Sequence, residues 1–161
     1  MTRGPVLLDV SVSYQAPRRG IPAASSFRRW VAAALKDRIR QADLAIRIVD
    51  EEQGRAFNRH YRGKDAATNV LSFPAEMIEG VHVPRGVKLP LMGDLVLCAP
   101  VIAREAQEQG KRIQDHYAHL TVHGVLHLLG WDHQDDQDAE AMETLERQIL
   151  AELGIADPYR E

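Results

Sequence analysis

The chain has 161 residues, 45% of them hydrophobic and 27% charged, which suits one soluble domain spanning 1–161 that buries a core without disulfides. Its one cysteine, Cys98, excludes an internal disulfide framework and a cysteine-rich closed metal site. The opening MTRGPVLLDV lacks the apolar run of a signal peptide, and no stretch approaches the ~20 apolar residues of a membrane span, so a cytoplasmic protein is expected.

Val6 to Val12 alternates apolar and polar residues as a half-buried strand does, and a proline-bearing loop follows from Gln15 to Pro22. Ser25 or Ser26 is placed to cap a helix reaching about Arg40, with Trp30, Ala34, Leu35 and Ile39 on one stripe. Leu44 to Val49 reads as a second strand. Asp50 then caps a short helix to about Tyr61, ended by Gly63, with Ala56, Phe57 and His60 or Tyr61 expected towards the core. Asn69 to Phe73 is a third strand stopped by Pro74, and residues 75–90 form a loop or an irregular hairpin excursion. Gly93 to Cys98 is a fourth strand, in which the apolar neighbours of Cys98 mark it as a small buried side chain. Pro100 suits the first turn of a helix ending at Gly110. A longer helix runs from about Ile113 to Leu129 and stops at Gly130. The last spans about Asp135 to Leu153, with an acidic first turn that suits the helix dipole.

The expected fold class is therefore α+β (α/β-like): a small mixed four-stranded sheet covered by about five helices. Strand order is not legible in the sequence. The net charge of −3 is unevenly spread: residues 1–75 hold 13 Lys and Arg against 7 Asp and Glu, and residues 76–161 hold 7 against 16. Such a basic half can attract a polyanion locally, although on composition alone solvated helix faces are the simpler account.

The segment His123-Gly124-Val125-Leu126-His127-Leu128-Leu129-Gly130-Trp131-Asp132-His133 carries the chemistry. His123 and His127 are four apart, about 6 Å along a helix axis and on one face, where two imidazoles can reach one Zn²⁺. Gly130 can end the helix sharply and let the chain swing His133 to a third corner. Three histidines leave the fourth tetrahedral position open, the pattern of a catalytic zinc site at the end of the penultimate helix. His119 lies one turn earlier, but a set of 119, 123 and 127 would stretch over ~12 Å, too far for one ion. His119 and His116 are thus read as surface residues or as support behind the ligands, and His82 and His60 have no identifiable partner. The spacing H-x-x-x-H-x-x-G-x-x-H is also that of metzincin proteases, whose general-base Glu is replaced here by Gly124.

HGVLHLLGWDH resembles the H-G-x-L-H-L-x-G-[YF]-D-H signature of the bacterial YbeY family of zinc-dependent endoribonucleases that mature ribosomal RNA. Asn58-Arg59-His60-Tyr61-Arg62-Gly63-Lys64-Asp65 and Thr68 to Pro74 resemble a second family block, N-x-x-Y-R-x-K-D-x-x-T-[DN]-V-L-S-F-P. Gly93-Asp94 and the closing Leu153 to Tyr159 agree as well. Trp131 stands where the family usually has Tyr, which keeps a ring without its hydroxyl.

The resemblance implies cleavage of single-stranded RNA in ribosomal RNA processing and in ribosome quality control, with one zinc ion per chain held by His123, His127 and His133. Arg62 and His123 are the expected catalytic residues, Arg62 because a guanidinium grips a phosphate through two donors and stabilises charge that develops on it. The implied partners are single-stranded RNA, ribosomal RNA and the ribosomal subunit or its proteins, with no DNA and no membrane. Asp132 suits either support of a ligand or a capping role, and Asp94 a structural one. Arg28, Arg29, Arg55, Arg59, Lys64 and Ser72 are available for an RNA-facing surface, whereas Phe57, Tyr61 and Phe73 read as core rather than base platforms. Two other readings stand beside the nuclease: a zinc-stabilised, non-catalytic ribosome assembly factor, and a metzincin-like peptidase.

Overall fold

A computed structural model describes residues 7–74, 91–131 and 135–159. Its elements run β1 (Leu7–Gln15), α1 (Ala24–Leu35), β2 (Gln41–Val49), α2 (Glu51–Arg62), β3 (Val70–Pro74), β4 (Leu91–Cys98), α3 (Ala99–Glu108), α4 (Ile113–Leu128) and α5 (Asp136–Glu152). The sheet order is β1-β2-β4-β3. β1, β2 and β4 are parallel, and β3 closes the other edge antiparallel to β4. Among the described residues, the four-stranded mixed sheet with five helices is the expected architecture.

A sheet with parallel central strands needs cover on both faces, and the alternation along β4 shows how it is met. Leu95 and Leu97 enter the larger core with Leu44, Ile46 and Ile48 of β2, Phe27 and Trp30 of α1, Leu126 of α4 and Met142 and Ile149 of α5. The intervening Val96 and Cys98 face a smaller cluster with Val49, Leu71, Phe73 and Val101. Cys98 is buried as expected, and burial pushes its thiol pKa up. α4 buries residues all round and packs against α1, α3, α5, β3 and β4, as an internal helix does. No helix among the described residues is long and apolar enough to cross a membrane.

Two local expectations need correction. α1 starts at Ala24, capped by Ala23 with no side-chain bond, and it ends at Leu35 rather than near Arg40. Burial of Phe27, Trp30 and Val31 sets its register, which leaves Ser25 and Ser26 inside the first turn. A type II turn then stops it: Arg38 N donates to Leu35 O at 2.9 Å, and Asp37 takes a positive φ of 61°. In α2, Asp50 does cap, its Oδ1 accepting from Gln53 N at 2.8 Å while Gln53 Oε1 accepts from Asp50 N. The helix nevertheless buries Gly54 and Asn58, leaving Ala56, His60 and Tyr61 exposed and Phe57 half-buried. The reason is close packing, since a Cβ on Gly54 would stand 2.9 Å from Cys98 Sγ. Asn58 Nδ2 donates to Ala66 O at 2.7 Å and ties down the chain that follows.

Candidate active site

α4 crosses the sheet close to β3 and β4 because residue 124 has no side chain. A Cβ there would meet Leu95 Cδ2 at 2.8 Å, Ser72 Oγ at 3.2 Å and Val70 Cγ2 at 3.3 Å. Ser72 Oγ also donates to Gly124 O at 3.0 Å, so its hydroxyl binds α4 to β3. Position 124 therefore points into the sheet, and a glutamate placed there would clash with it.

His123 and His127 stand on the next turns of α4, with ring centroids 4.5 Å apart and planes at 79°. Their Nε2 atoms face each other at 3.0 Å. Two nitrogens bound tetrahedrally to one zinc at ~2.0–2.1 Å would lie about 3.3–3.4 Å apart, so the pair is spaced for a shared ion. α4 ends just beyond, where Gly130 N donates to His127 O and Trp131 N to Leu126 O, both at 3.0 Å. This Schellman arrangement needs a left-handed residue, supplied by Gly130 at φ 98°. Trp131 is exposed past that turn. His133 and Asp132 lie outside the described residues, and among those described no group of three His, Cys, Asp or Glu is arranged for a metal ion.

The Nδ1 edge of His123 is held from α5. Glu146 is fully buried, and its carboxylate is bonded to His123 Nδ1, to Tyr159 Oη and, at 3.3 Å, to His119 Nε2. Burial pushes the Glu146 pKa up, but the bonds from His119, His123 and Tyr159 outweigh it and bring it down to about 2. An ionised carboxylate only accepts, so all three partners donate to it. The Nδ1 edge of His123 is thus held by Glu146, and Nε2 is the ring nitrogen turned towards His127. Burial, followed by the bond to Glu146, raises the Tyr159 phenol well above its ordinary range.

The sequence assigns no role to Glu146, and marks Tyr159 only as the end of the closing block that resembles the family. A signal for Glu146 was there: it falls in the buried stripe of Met142, Ile149 and Leu150, where an unpaired carboxylate would be costly. His119 braces His123 by way of Glu146, with Tyr159 Oη 3.1 Å from its Nε2. His116 is buried, not on the surface, and its Nε2 is 2.9 Å from Glu105 Oε1.

The histidine pair opens into a cleft of about 500 Å³ walled by β3, by the segment Thr68–Asn69, and by Tyr61 and Arg62 at the end of α2. Three elements thus bring Arg62 and the two histidines to one cavity. None of its described lining residues is a carboxylate. The other basic candidates are placed differently. Arg55 is held bidentately by Asp65 at 2.7 Å, and Arg28 Nε donates to Val10 O at 3.2 Å. Arg29, Arg59 and Lys64 are exposed. Asp94 lies on β4 and pairs with Arg47 at 3.3 Å.

Residues 15–154 match the family model of the endoribonuclease YbeY. The chain is 76% identical to the endoribonuclease YbeY of Stenotrophomonas maltophilia strain K279a, over 99% of this chain and 98% of that one. It is 72% identical to the endoribonuclease YbeY of Xanthomonas axonopodis pv. citri, with the same coverage. The solution structure of TM1509 from Thermotoga maritima shares the fold, with a TM-score of 0.55 at 18% identity over 94% of this chain and 99% of that one. The motifs around Arg62 and His123, the site they build and these matches over nearly the whole length place the chain in the YbeY endoribonuclease family.

Proposed function

We propose that this chain is a zinc-dependent endoribonuclease that cleaves single-stranded RNA, acting in the cytoplasm in ribosomal RNA processing and ribosome quality control. The observation that carries the reading is the shared cleft: a guanidinium, Arg62, and a pair of metal-competent imidazoles, His123 and His127, line one cavity. His133 completes the ligand set in this reading.

The chemistry zinc supplies when bound is Lewis acidity, which polarises a phosphoryl oxygen and makes water more acidic. Arg62 binds a non-bridging phosphate oxygen and offsets the charge that grows there as the phosphodiester is attacked. Glu146 holds the Nδ1 proton of His123 and fixes the ring's direction, with His119 and Tyr159 filling its remaining acceptor sites. Because Glu146 is buried and already accepts three bonds, it orients a ligand rather than taking a proton from substrate.

A peptidase of metzincin type is disfavoured by the packing at Gly124, which turns the base's position into the sheet. The assembly-factor reading, with ribosomal subunits or ribosomal proteins as partners, is separated by experiment. Purified wild type and Arg62→Ala, each with its zinc content measured, are given a single-stranded ribosomal RNA fragment. The nuclease reading expects cleavage by the wild type and strong loss in the variant at equal zinc. Zinc-replete wild type that leaves the RNA intact favours the assembly factor.

A further inference from the structure

α2 carries an aromatic block whose outer ring, Tyr61, stands exposed. Tyr61 is 48% exposed although it precedes Arg62 at the mouth of the cleft. Its ring rests on Phe73 at 4.6 Å and lies nearly parallel to Phe57, at 14° and 6.3 Å, with His60 edge-on at 4.7 Å. Phe73 in turn packs into the smaller core cluster, so the block is braced from beneath. Tyr61 lines both the histidine cleft and an adjoining shallow depression of about 380 Å³ on the outer side of α2. The same last turn of the helix is basic, with Arg59, His60 and Arg62.

We propose that Tyr61 is a stacking platform for a nucleobase next to the phosphate held by Arg62, and that it is a source of the preference for single strands. This rests on the reading of the chain as a ribonuclease. A π-face beside cationic side chains is how proteins hold single-stranded nucleic acid without reading its sequence. The brace under Tyr61 fixes its ring before RNA arrives, so little side-chain freedom is lost on binding. A base inside a duplex is stacked on both faces and must be unstacked before it can lie on Tyr61, which penalises double-stranded substrate. The charge of the basic turn complements a phosphate backbone, and the platform is continuous with the cleft that holds the reacting groups. Those two features select a nucleic acid strand over an apolar peptide as its occupant.

The test compares wild type with Tyr61→Leu, Tyr61→Phe and Tyr61→Trp, all zinc-loaded, on a single-stranded RNA and on copies bearing one abasic position each. Tyr61→Leu keeps bulk against Phe73 but removes the π-face. Weaker RNA binding by about 5- to 150-fold is expected for it, read mainly in KM, with zinc content and melting curve unchanged. Tyr61→Phe and Tyr61→Trp should behave as wild type. One abasic position should weaken binding to wild type and have no further effect on Tyr61→Leu. If wild type cleaves RNA and Tyr61→Leu has the same KM, the platform is wrong while the nuclease stands. If Tyr61→Phe loses as much as Tyr61→Leu, the phenol hydroxyl matters rather than stacking, and the platform is again wrong. If zinc-loaded wild type neither binds nor cleaves RNA, both readings fall.

Discussion

Glu146 holds His123 by its Nδ1 edge across the interface of α4 and α5, 23 residues away in sequence, and leaves the other ring nitrogen facing His127 Nε2 at 3.0 Å. The carboxylate is itself saturated by His119 and Tyr159, so Tyr159 helps to fix the direction of the His123 ring.

Glu146→Gln should therefore weaken zinc binding by about 10- to 100-fold, the usual cost of losing a ligand's supporting partner. The amide retains the shape but brings a donor to a site where three donors already converge. Competition against a chromogenic chelator measures it, and an unchanged affinity would show that Glu146 serves the fold alone.

For Arg62→Ala the expected loss is in kcat, about 100- to 1,000-fold, as for other donors aimed at developing charge. Zinc content should not change, because the side chain approaches the cleft from α2. Arg62→Lys should recover only part of the rate, since an ammonium cannot donate in the bidentate fork. Single-turnover cleavage at saturating protein separates this from weakened binding.

Gly124→Ala tests the approach of α4 to the sheet. Alanine favours a helix over glycine by roughly 0.5–1 kcal/mol. Its methyl would stand 2.8 Å from the fully buried Leu95, however, and overpacking a core costs typically ~1–3 kcal/mol. The packing term is the larger, so the variant should melt below the wild type. A higher melting temperature would mean that α4 shifts freely.

His116 gives the fold an acid sensitivity of its own. Burial lowers its pKa below 6.5, and Glu105 opposes the shift only in part. The unfolded chain then takes up this proton at a higher pH than the folded one. Its contribution to stability is whole above pH 6.5 and is lost as pH falls through the lower, folded value. Urea denaturation in EDTA, which removes metal release from the balance, should show a shallower loss between pH 7 and 5 for His116→Gln than for wild type. Parallel curves would contradict the assignment.

The elements themselves were largely legible, because β2, β4, α3 and α5 each carry a clear period and a clean start or stop. The fold of the four-residue spacing on α4 was legible too, since i and i+4 share a face whatever the tertiary context. Tyr61 was misread for a physical reason. Phe57 and Tyr61 form an apolar i, i+4 pair that ordinarily turns inward, but α2 docks through Gly54 against Cys98, and a glycine contact leaves no hydrophobic signal. Glu146 escaped because its role depends on how two helices cross. His133, the third expected ligand, lies outside the described residues, so the ligand set is read from its spacing beyond Gly130.

The most direct test of a zinc-dependent nuclease follows one preparation of wild type through stripping and reloading of the metal, with cleavage of a single-stranded RNA and zinc per chain measured at each stage. Cleavage should vanish with the zinc and return as the content rises to one ion per chain. Undiminished cleavage by the stripped protein, or none by the reloaded one, would contradict it.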